Sequence, residues 1–84
     1  MKSFVEIIKM ETVGPLLRGA VRNKDLMEFL GERPTKSRAN IEAEIVESLG
    51  KVGFNTDEEI RIFVSPSSRE TIYEQKHEVL VNEE

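Results

Sequence analysis

The 84-residue sequence contains no cysteine and no tryptophan, and it has a single histidine. The absence of cysteine excludes disulfides, thiolate metal sites and cysteine nucleophiles. No apolar run approaches the roughly 18–20 residues that are needed to span a bilayer. The apolar stretch near the start is interrupted by Glu6, which is not typical of a signal peptide. We therefore expect a cytoplasmic protein without membrane insertion.

The composition is that of a folded protein, with 33% charged and 38% hydrophobic residues. We expect one domain over residues 1–84. A chain of this size buries only about 60–65% of the surface that it would expose when unfolded, so its core is marginal. Because no covalent cross-link adds stability, association with a partner protein or with itself is the default expectation.

The two halves of the chain carry opposite net charge. Residues 1–40 contain eight Lys and Arg against five Asp and Glu, a net charge of +3. Residues 41–84 contain four Lys and Arg against eleven Asp and Glu, a net charge of −7. Such a split favours docking to charged partners or head-to-tail association of the chain with itself.

The first third of the sequence has apolar residues at helical spacing. Residues 3–12 favour a helix. Gly14 then interrupts the pattern, and Pro15 suits the first position of a new helix because its missing N–H has no intrahelical partner there. The apolar stripe over residues 15–30 predicts one or two helices that end at Gly31.

The best-defined helix is predicted to begin after a loop over residues 31–37. Ser37 suits the N-cap position, and Gly53 suits a left-handed residue after the last turn. Phe54 would then cover Leu49, as in a Schellman ending. The apolar face of this helix comprises Ile41, Ile45, Leu49 and Val52.

The last third of the sequence is predicted to contain a short strand near 59–65, where β-branched residues alternate with other side chains. For residues 70–81 the polar centre favours a helix, which a capping box from Ser67 to Glu70 would open. A strand in a hairpin with 60–64 is the alternative. The predicted fold class is α+β: a helix-dominated small domain with one short strand and a C-terminal helix or hairpin strand.

Five segments, taken in order, resemble the second half of a stomatin/prohibitin/flotillin-type (SPFH) domain. They are Pro15-Leu16-Leu17-Arg18, Ser37-Arg38-Ala39-Asn40-Ile41-Glu42-Ala43-Glu44-Ile45, Gly53-Phe54, Ile60-Arg61-Ile62 and Glu70-Thr71-Ile72-Tyr73-Glu74-Gln75-Lys76. The resemblance implies a helix, a loop and a second helix, followed by a strand and a Glu-rich helix. It also implies a scaffold that self-associates and has no enzymatic activity.

Groups that could carry catalysis or bind a metal are sparse. The only histidine, His77, forms one Glu-x-x-His motif with Glu74, whereas a di-iron bundle requires two such motifs and two further glutamates. The acidic run 57–59 lacks the alternating ligand spacing of a calcium loop. The glycines are too scattered to form a phosphate loop. We therefore predict no enzymatic activity, no catalytic or metal-binding residues and no cofactor.

The basic residues are the candidate interaction site. Three of them flank the predicted helix start at Ser37, where free N–H groups and the helix dipole favour an anion. Two more are one helical turn apart and could extend the patch. The candidates are Arg18, Arg22, Arg33, Lys36 and Arg38.

Two functions follow from these features. The first is a protein-interaction or assembly module that self-associates or docks on a partner protein through complementary charged surfaces. The alternative is a small regulator that binds nucleic-acid phosphates through the 33–38 loop and the helix face bearing Arg18 and Arg22. The net charge of −4 counts against this alternative.

Overall fold

The fold is organised by one antiparallel sheet with helices packed against one of its faces. The computed structural model describes residues 3–31, 37–65, 67 and 69–77. Its elements, in chain order, are α1 (Phe4–Ile7), β1 (Lys9–Val13), β2 (Leu16–Arg22), α2 (Asn23–Leu30), α3 (Arg38–Lys51), β3 (Arg61–Val64) and β4 (Glu70–Lys76). The predicted α+β class is confirmed, but the predicted dominance of helices is wrong.

The sheet contains four strands in the order β1-β2-β4-β3, and every neighbouring pair is antiparallel. β2 and β4 are therefore central, and β1 and β3 are the edges. Residues directly opposite each other form rows across all four strands. One such row contains Met10, Gly19, Tyr73 and Ile62. A Cβ on Gly19 would lie 2.6 Å from Ile8 Cδ1, so glycine lets apolar side chains cross the sheet at this point.

The helical prediction for the first third of the chain is wrong in large part. Helix α1 has only four residues, and residues 9–22 form a β-hairpin. Gly14 has a φ of 58° as the first of two turn residues, which is the glycine position of a type II′ hairpin. Pro15 is therefore the second turn residue and does not start a helix. The predicted helix after the turn is confirmed only over α2, which ends at Gly31.

Helix α3 follows the prediction closely. The Ser37 hydroxyl accepts a hydrogen bond of 3.2 Å from the Asn40 backbone N–H, which confirms the N-cap. At the other end, Phe54 N–H donates to the Leu49 carbonyl and Gly53 N–H donates to the Gly50 carbonyl. Gly53 has a φ of 115°. This pair of hydrogen bonds is the predicted Schellman ending.

The predicted strand near 59–65 is confirmed as β3, but the preferred C-terminal helix is wrong. Residues 70–76 form β4, which pairs with both β2 and β3, so the hairpin alternative is correct for this part of the chain. Residues 78–81 lie outside the described residues. A helix would have exposed most of this segment, whereas the sheet buries three consecutive residues, Thr71, Ile72 and Tyr73, between two neighbouring strands.

The core lies between the sheet and the helices. Its fully buried centre combines Leu49 of α3 with Val21 of β2 and Tyr73 of β4. The Phe4 ring of α1 packs edge-on against Phe29 and Tyr73, with ring centroids 5.5 Å and 6.1 Å apart. Every element except β3 contributes apolar side chains to this core, so the opposite face of the sheet is left for other roles.

Candidate functional site

The face of the sheet that points away from the core, which we term the open face, is rich in charge. Its members alternate along each strand with the core-facing residues. They are Lys9, Glu11 and Val13 of β1, Leu16, Arg18, Ala20 and Arg22 of β2, Glu70, Ile72, Glu74 and Lys76 of β4, and Arg61 and Phe63 of β3. Ile72 is the buried member, at 6% exposure, and none of them belongs to the core cluster between the sheet and the helices.

Four of these side chains form a row of alternating charge across the whole sheet. The charge row is Glu11, Arg18, Glu74 and Arg61, one residue from each strand at directly opposite positions. Arg18 Nη1 lies 3.5 Å from Glu11 Oε2, and Arg61 Nη2 lies 3.1 Å from Glu74 Oε1. Opposite charges at facing positions of neighbouring strands stabilise their pairing.

Glu74 is the centre of the charge row. Its side chain is only 13% exposed, and its carboxylate lies between two guanidinium groups. Arg18 Nε is 3.7 Å from Glu74 Oε2, and this nitrogen is buried without a hydrogen bond within the described part of the chain. The row therefore neutralises its charges internally, except at its two ends, where Glu11 and Arg61 each have a neighbour on one side only.

Strand β3 carries three consecutive exposed apolar residues. Ile62, Phe63 and Val64 are 53%, 42% and 54% exposed. Within the described residues β3 pairs only with β4, so its other edge presents backbone N–H and C=O groups that have no strand partner. An exposed apolar edge strand is a template for pairing with another chain.

A buried side-chain amide holds the segment that leads into β3. Asn55 N–H donates to Gln75 Oε1, and Gln75 Nε2 donates to the Asn55 carbonyl. The donor–acceptor distance is 2.7 Å in each of these hydrogen bonds. The Gln75 amide thus pairs with a backbone as a neighbouring strand would. This anchor fixes the start of the exposed edge, since Gln75 is buried in β4 next to Glu74.

The structure separates the arginines that the sequence placed in one patch. Arg18 and Arg22 lie on strand β2, so the predicted helix face is wrong, and Arg22 Nε lies 3.1 Å from Asp25 Oδ2. Arg38 is on α3, in the layer on the other side of the sheet, and its Nε lies 3.5 Å from Glu42 Oε2. Arg33 and Lys36 lie outside the described residues. Contact with nucleic-acid phosphates stays a prediction, and Arg18, Arg22 and Arg38 each have a carboxylate partner.

The sequence reasoning missed Glu11, Glu74 and Arg61 as site residues. The segments containing Glu11 and Glu74 were expected to be helical, so the sequence predicted no cross-strand ion pair for either glutamate or for Arg61. The sequence signal that could have identified Glu74 is the alternation in 70–76. In a strand, this alternation places Glu70, Ile72, Glu74 and Lys76 on one face. Only the pairing order of the strands places Glu74 between two arginines.

Metal-ligand clusters and surface clefts are the other features that could form a site. Residues 3–31, 37–65, 67 and 69–77 contain no group of three His, Asp or Glu side chains that could hold a metal ion. A cleft at one end of the open face is lined by charges of both signs, including Lys9, Arg22, Asp25 and Glu70. This mixture favours no ligand of a single charge. Over the same described residues, no helix is long and apolar enough to cross a membrane.

Comparisons of the chain with protein-family models, with curated proteins and with solved structures found no match. The SPFH resemblance therefore stays a prediction. Two of its segments, residues 15–18 and 70–76, would be helical under that resemblance and belong to the hairpin turn and to strands in the structure.

Proposed function

We propose that this protein is a non-enzymatic interaction and assembly module that binds a protein partner, or a second copy of itself, along the free edge of β3. The observation that carries the proposal is the run Ile62, Phe63 and Val64, three consecutive apolar side chains that are about half exposed on an edge strand. Covering them would remove apolar surface from water, which is the main driving force of protein association.

The backbone of β3 supports binding by strand addition. An extended segment that pairs with an exposed sheet edge gains main-chain hydrogen bonds, while its alternating side chains supply specificity. On one face, such a segment would contact Ile62 and Val64. On the other face it would meet Phe63 and Arg61. The Gln75 anchor keeps this edge ordered, which lowers the entropy cost of binding.

Charge gives the edge its selectivity. Arg61 ends the charge row, and its guanidinium contacts Glu74 on one side only. A partner strand with a carboxylate opposite Arg61 would extend the alternation of charge, whereas a basic residue there would be repelled. We therefore expect a partner segment that combines an acidic residue with neighbouring apolar residues, and an association that weakens as salt is raised.

Substitution of the edge tests the proposal against a matched change elsewhere. Ile62→Lys places a charge in the middle of β3, and Met27→Lys makes the same chemical change on α2, where the side chain is 69% exposed. We expect Ile62→Lys to abolish self-association in sedimentation and capture of partners in a pull-down, and Met27→Lys to retain both. Equal retention by the two variants would contradict the proposal. So would an unmodified chain that stays monomeric and captures nothing.

A further inference from the structure

We infer that the partner of the β3 edge is the β1 edge of a second copy of the chain, paired head to tail so that Arg61 of one copy faces Glu11 of the next. This inference rests on the proposed function, since it names the occupant of the same edge. It follows from the direction of the two edge strands, from the charges at the ends of the charge row, and from the residues next to them.

The strand directions permit this pairing without any rearrangement. Each step across the sheet, from β1 to β2 to β4 to β3, is antiparallel. Three reversals leave β1 and β3 of one copy running in opposite directions. A second copy in the same orientation would therefore place its β1 antiparallel to β3 of the first, and the sheet would continue in one pairing mode.

The ends of the charge row are complementary to each other. At the β1 edge the row ends on Glu11, which among the described residues forms an ion pair with Arg18, and at the β3 edge it ends on Arg61. Opposite charges at facing positions stabilise strand pairing, and like charges destabilise it. Placing Glu11 of one copy opposite Arg61 of another would continue the same alternation of sign across the junction.

The register set by that charge pair also matches the neighbouring residues. In an antiparallel pairing with Arg61 opposite Glu11, Ile62 lies opposite Met10 and Phe63 lies opposite Lys9. Ile62 and Met10 are on the core-facing side of their strands, where two apolar side chains can pack together. Phe63 and Lys9 are on the open face, and an ammonium over an aromatic ring is a favourable cation–π contact. Each of these three rows would thus continue into the row of the same residues in the next copy.

A two-fold pairing of β3 with β3 is the main competitor, and it places no carboxylate of the second copy opposite Arg61. Residues that face each other across two strands must lie on the same side of the sheet. With the two-fold axis at Ile62, Arg61 faces Phe63 of the other copy. With the axis at Phe63, Arg61 faces Ser65. Either arrangement covers the apolar run, but neither uses the exposed charge at the β1 edge.

The two arrangements differ in how they grow, and mixing of variants separates them. A head-to-tail contact leaves one free edge at each end and adds copies as concentration rises, whereas a two-fold contact stops at a dimer. Ile62→Lys blocks the β3 edge but leaves β1 intact. Glu11→Lys blocks the β1 edge but leaves β3 intact, and it faces Arg61 with a like charge. Neither variant alone can form the head-to-tail contact.

We expect each variant alone to sediment as a monomer, and an equimolar mixture of the two to form a dimer, because one copy supplies β1 and the other supplies β3. The unmodified chain should form species larger than a dimer as its concentration increases. Met27→Lys and Glu47→Lys are the matched controls, since both side chains are exposed on helices, and each should behave as the unmodified chain.

Three outcomes would overturn the inference: a Glu11→Lys variant that still dimerises, a mixture that stays monomeric, or an unmodified chain that is monomeric at every concentration. The first would indicate β3–β3 pairing. None of these three outcomes contradicts the proposed function if the unmodified chain and Met27→Lys both capture a partner protein and Ile62→Lys does not.

Circular dichroism establishes that each variant is folded. If Glu11→Lys does not fold, Glu11→Gln replaces it: association of that variant should be weaker than that of the unmodified chain at low salt, and less sensitive to added salt. Equal association of the two at low salt would also overturn the inference.

Discussion

The two faces of the sheet are made from alternate residues of the same four strands, yet they differ in almost every property. The core-facing side presents Val21 and Tyr73, which are 1% exposed and packed against α1 and α3. The open face presents the charge row, whose carboxylates and guanidinium groups compensate one another. Folding stability is thus concentrated on one face, while the other face and the β3 edge offer charge and unpaired backbone to a partner.

Burial and charge pairing contribute differently to the stability of a domain this small. Loss of a buried side chain removes transfer free energy and leaves a cavity, which is costly. Loss of one exposed ion pair changes the free energy of unfolding only slightly. Substitutions of the exposed charges on the open face should therefore alter association more than folding, and substitutions of the buried residues on the core-facing side should do the reverse.

The largest effect is expected from Leu49→Ala, which truncates a side chain of 0% exposure in the centre of the core. We expect the free energy of unfolding to fall by about 2–5 kcal/mol, as measured by urea denaturation. Met27→Ala removes a side chain of comparable size that is exposed on α2, and it should change stability by less than about 0.5 kcal/mol. Similar losses for both variants would mean that the core is not where the structure places it.

High pH should destabilise the core-facing side through Tyr73. Burial raises the pKa of Tyr73 to about 12 from the ordinary value of 10.0, because the phenol would have to become negatively charged in a site shielded from water. The unfolded chain loses this proton first, so stability is unaffected below about pH 10 and falls between about pH 10 and 12, by roughly 2–3 kcal/mol in total.

This titration has a direct optical readout. The chain has one tyrosine and no tryptophan, so tyrosinate absorbance reports Tyr73 alone. Ionisation near pH 10 in a chain that circular dichroism shows to be folded would mean that the ring is accessible to water.

A smaller effect is expected from Gln75→Leu, which removes both hydrogen bonds to the Asn55 backbone. The backbone groups of Asn55 would lose their partners, and we expect a loss of about 1–3 kcal/mol. Faster amide hydrogen exchange at Asn55 should accompany it. Lys76→Leu changes the next residue, which is exposed on the open face, and is the control. A neutral result for Gln75→Leu would show that the anchor is dispensable.

The smallest effect on folding is expected from Glu74→Gln, which removes the central charge of the row. We expect a loss of about 1 kcal/mol at low salt, because two ion pairs are weakened. The difference from the unmodified chain should shrink when salt is raised to about 1 M, where the Debye length is roughly 3 Å. Glu47→Gln on the exposed side of α3 should have no measurable effect. A loss that does not respond to salt would indicate that packing around Glu74, rather than charge, is responsible.

The net charges of the two halves of the sequence predicted a simpler charge distribution on the surface than the structure has. The basic first half and acidic second half suggested one patch of each sign. In the sheet each half contributes one residue of each sign to the charge row: Glu11 and Arg18 from the first half, Glu74 and Arg61 from the second. Net charge counted along a chain ignores which residues face each other in the sheet, and the pairing of β2 with β4 joins the two halves at Arg18 and Glu74.

Elements whose signals are local could be predicted from the sequence alone. Helix α3 is specified by its cap at Ser37, its apolar stripe and its ending at Gly53, and each of these acts within a few residues. The turn propensities at Gly14 and Gly31 and the short strand β3 are of the same kind. Such features form for reasons contained in their own segment, so inspection of that segment was sufficient.

The tertiary structure decided the identity of residues 9–22 and 70–76 and, with it, the candidate site. Both segments have apolar residues that fit a helix as well as a strand, and strand pairing gains its stability from contacts with residues far away in sequence. The core-facing side of β2 comprises Leu17, Gly19 and Val21. It forms only when Gln75, Tyr73 and Thr71 of β4 lie opposite these residues. The charge row and the free β3 edge exist because of that pairing, which no single segment of the chain encodes.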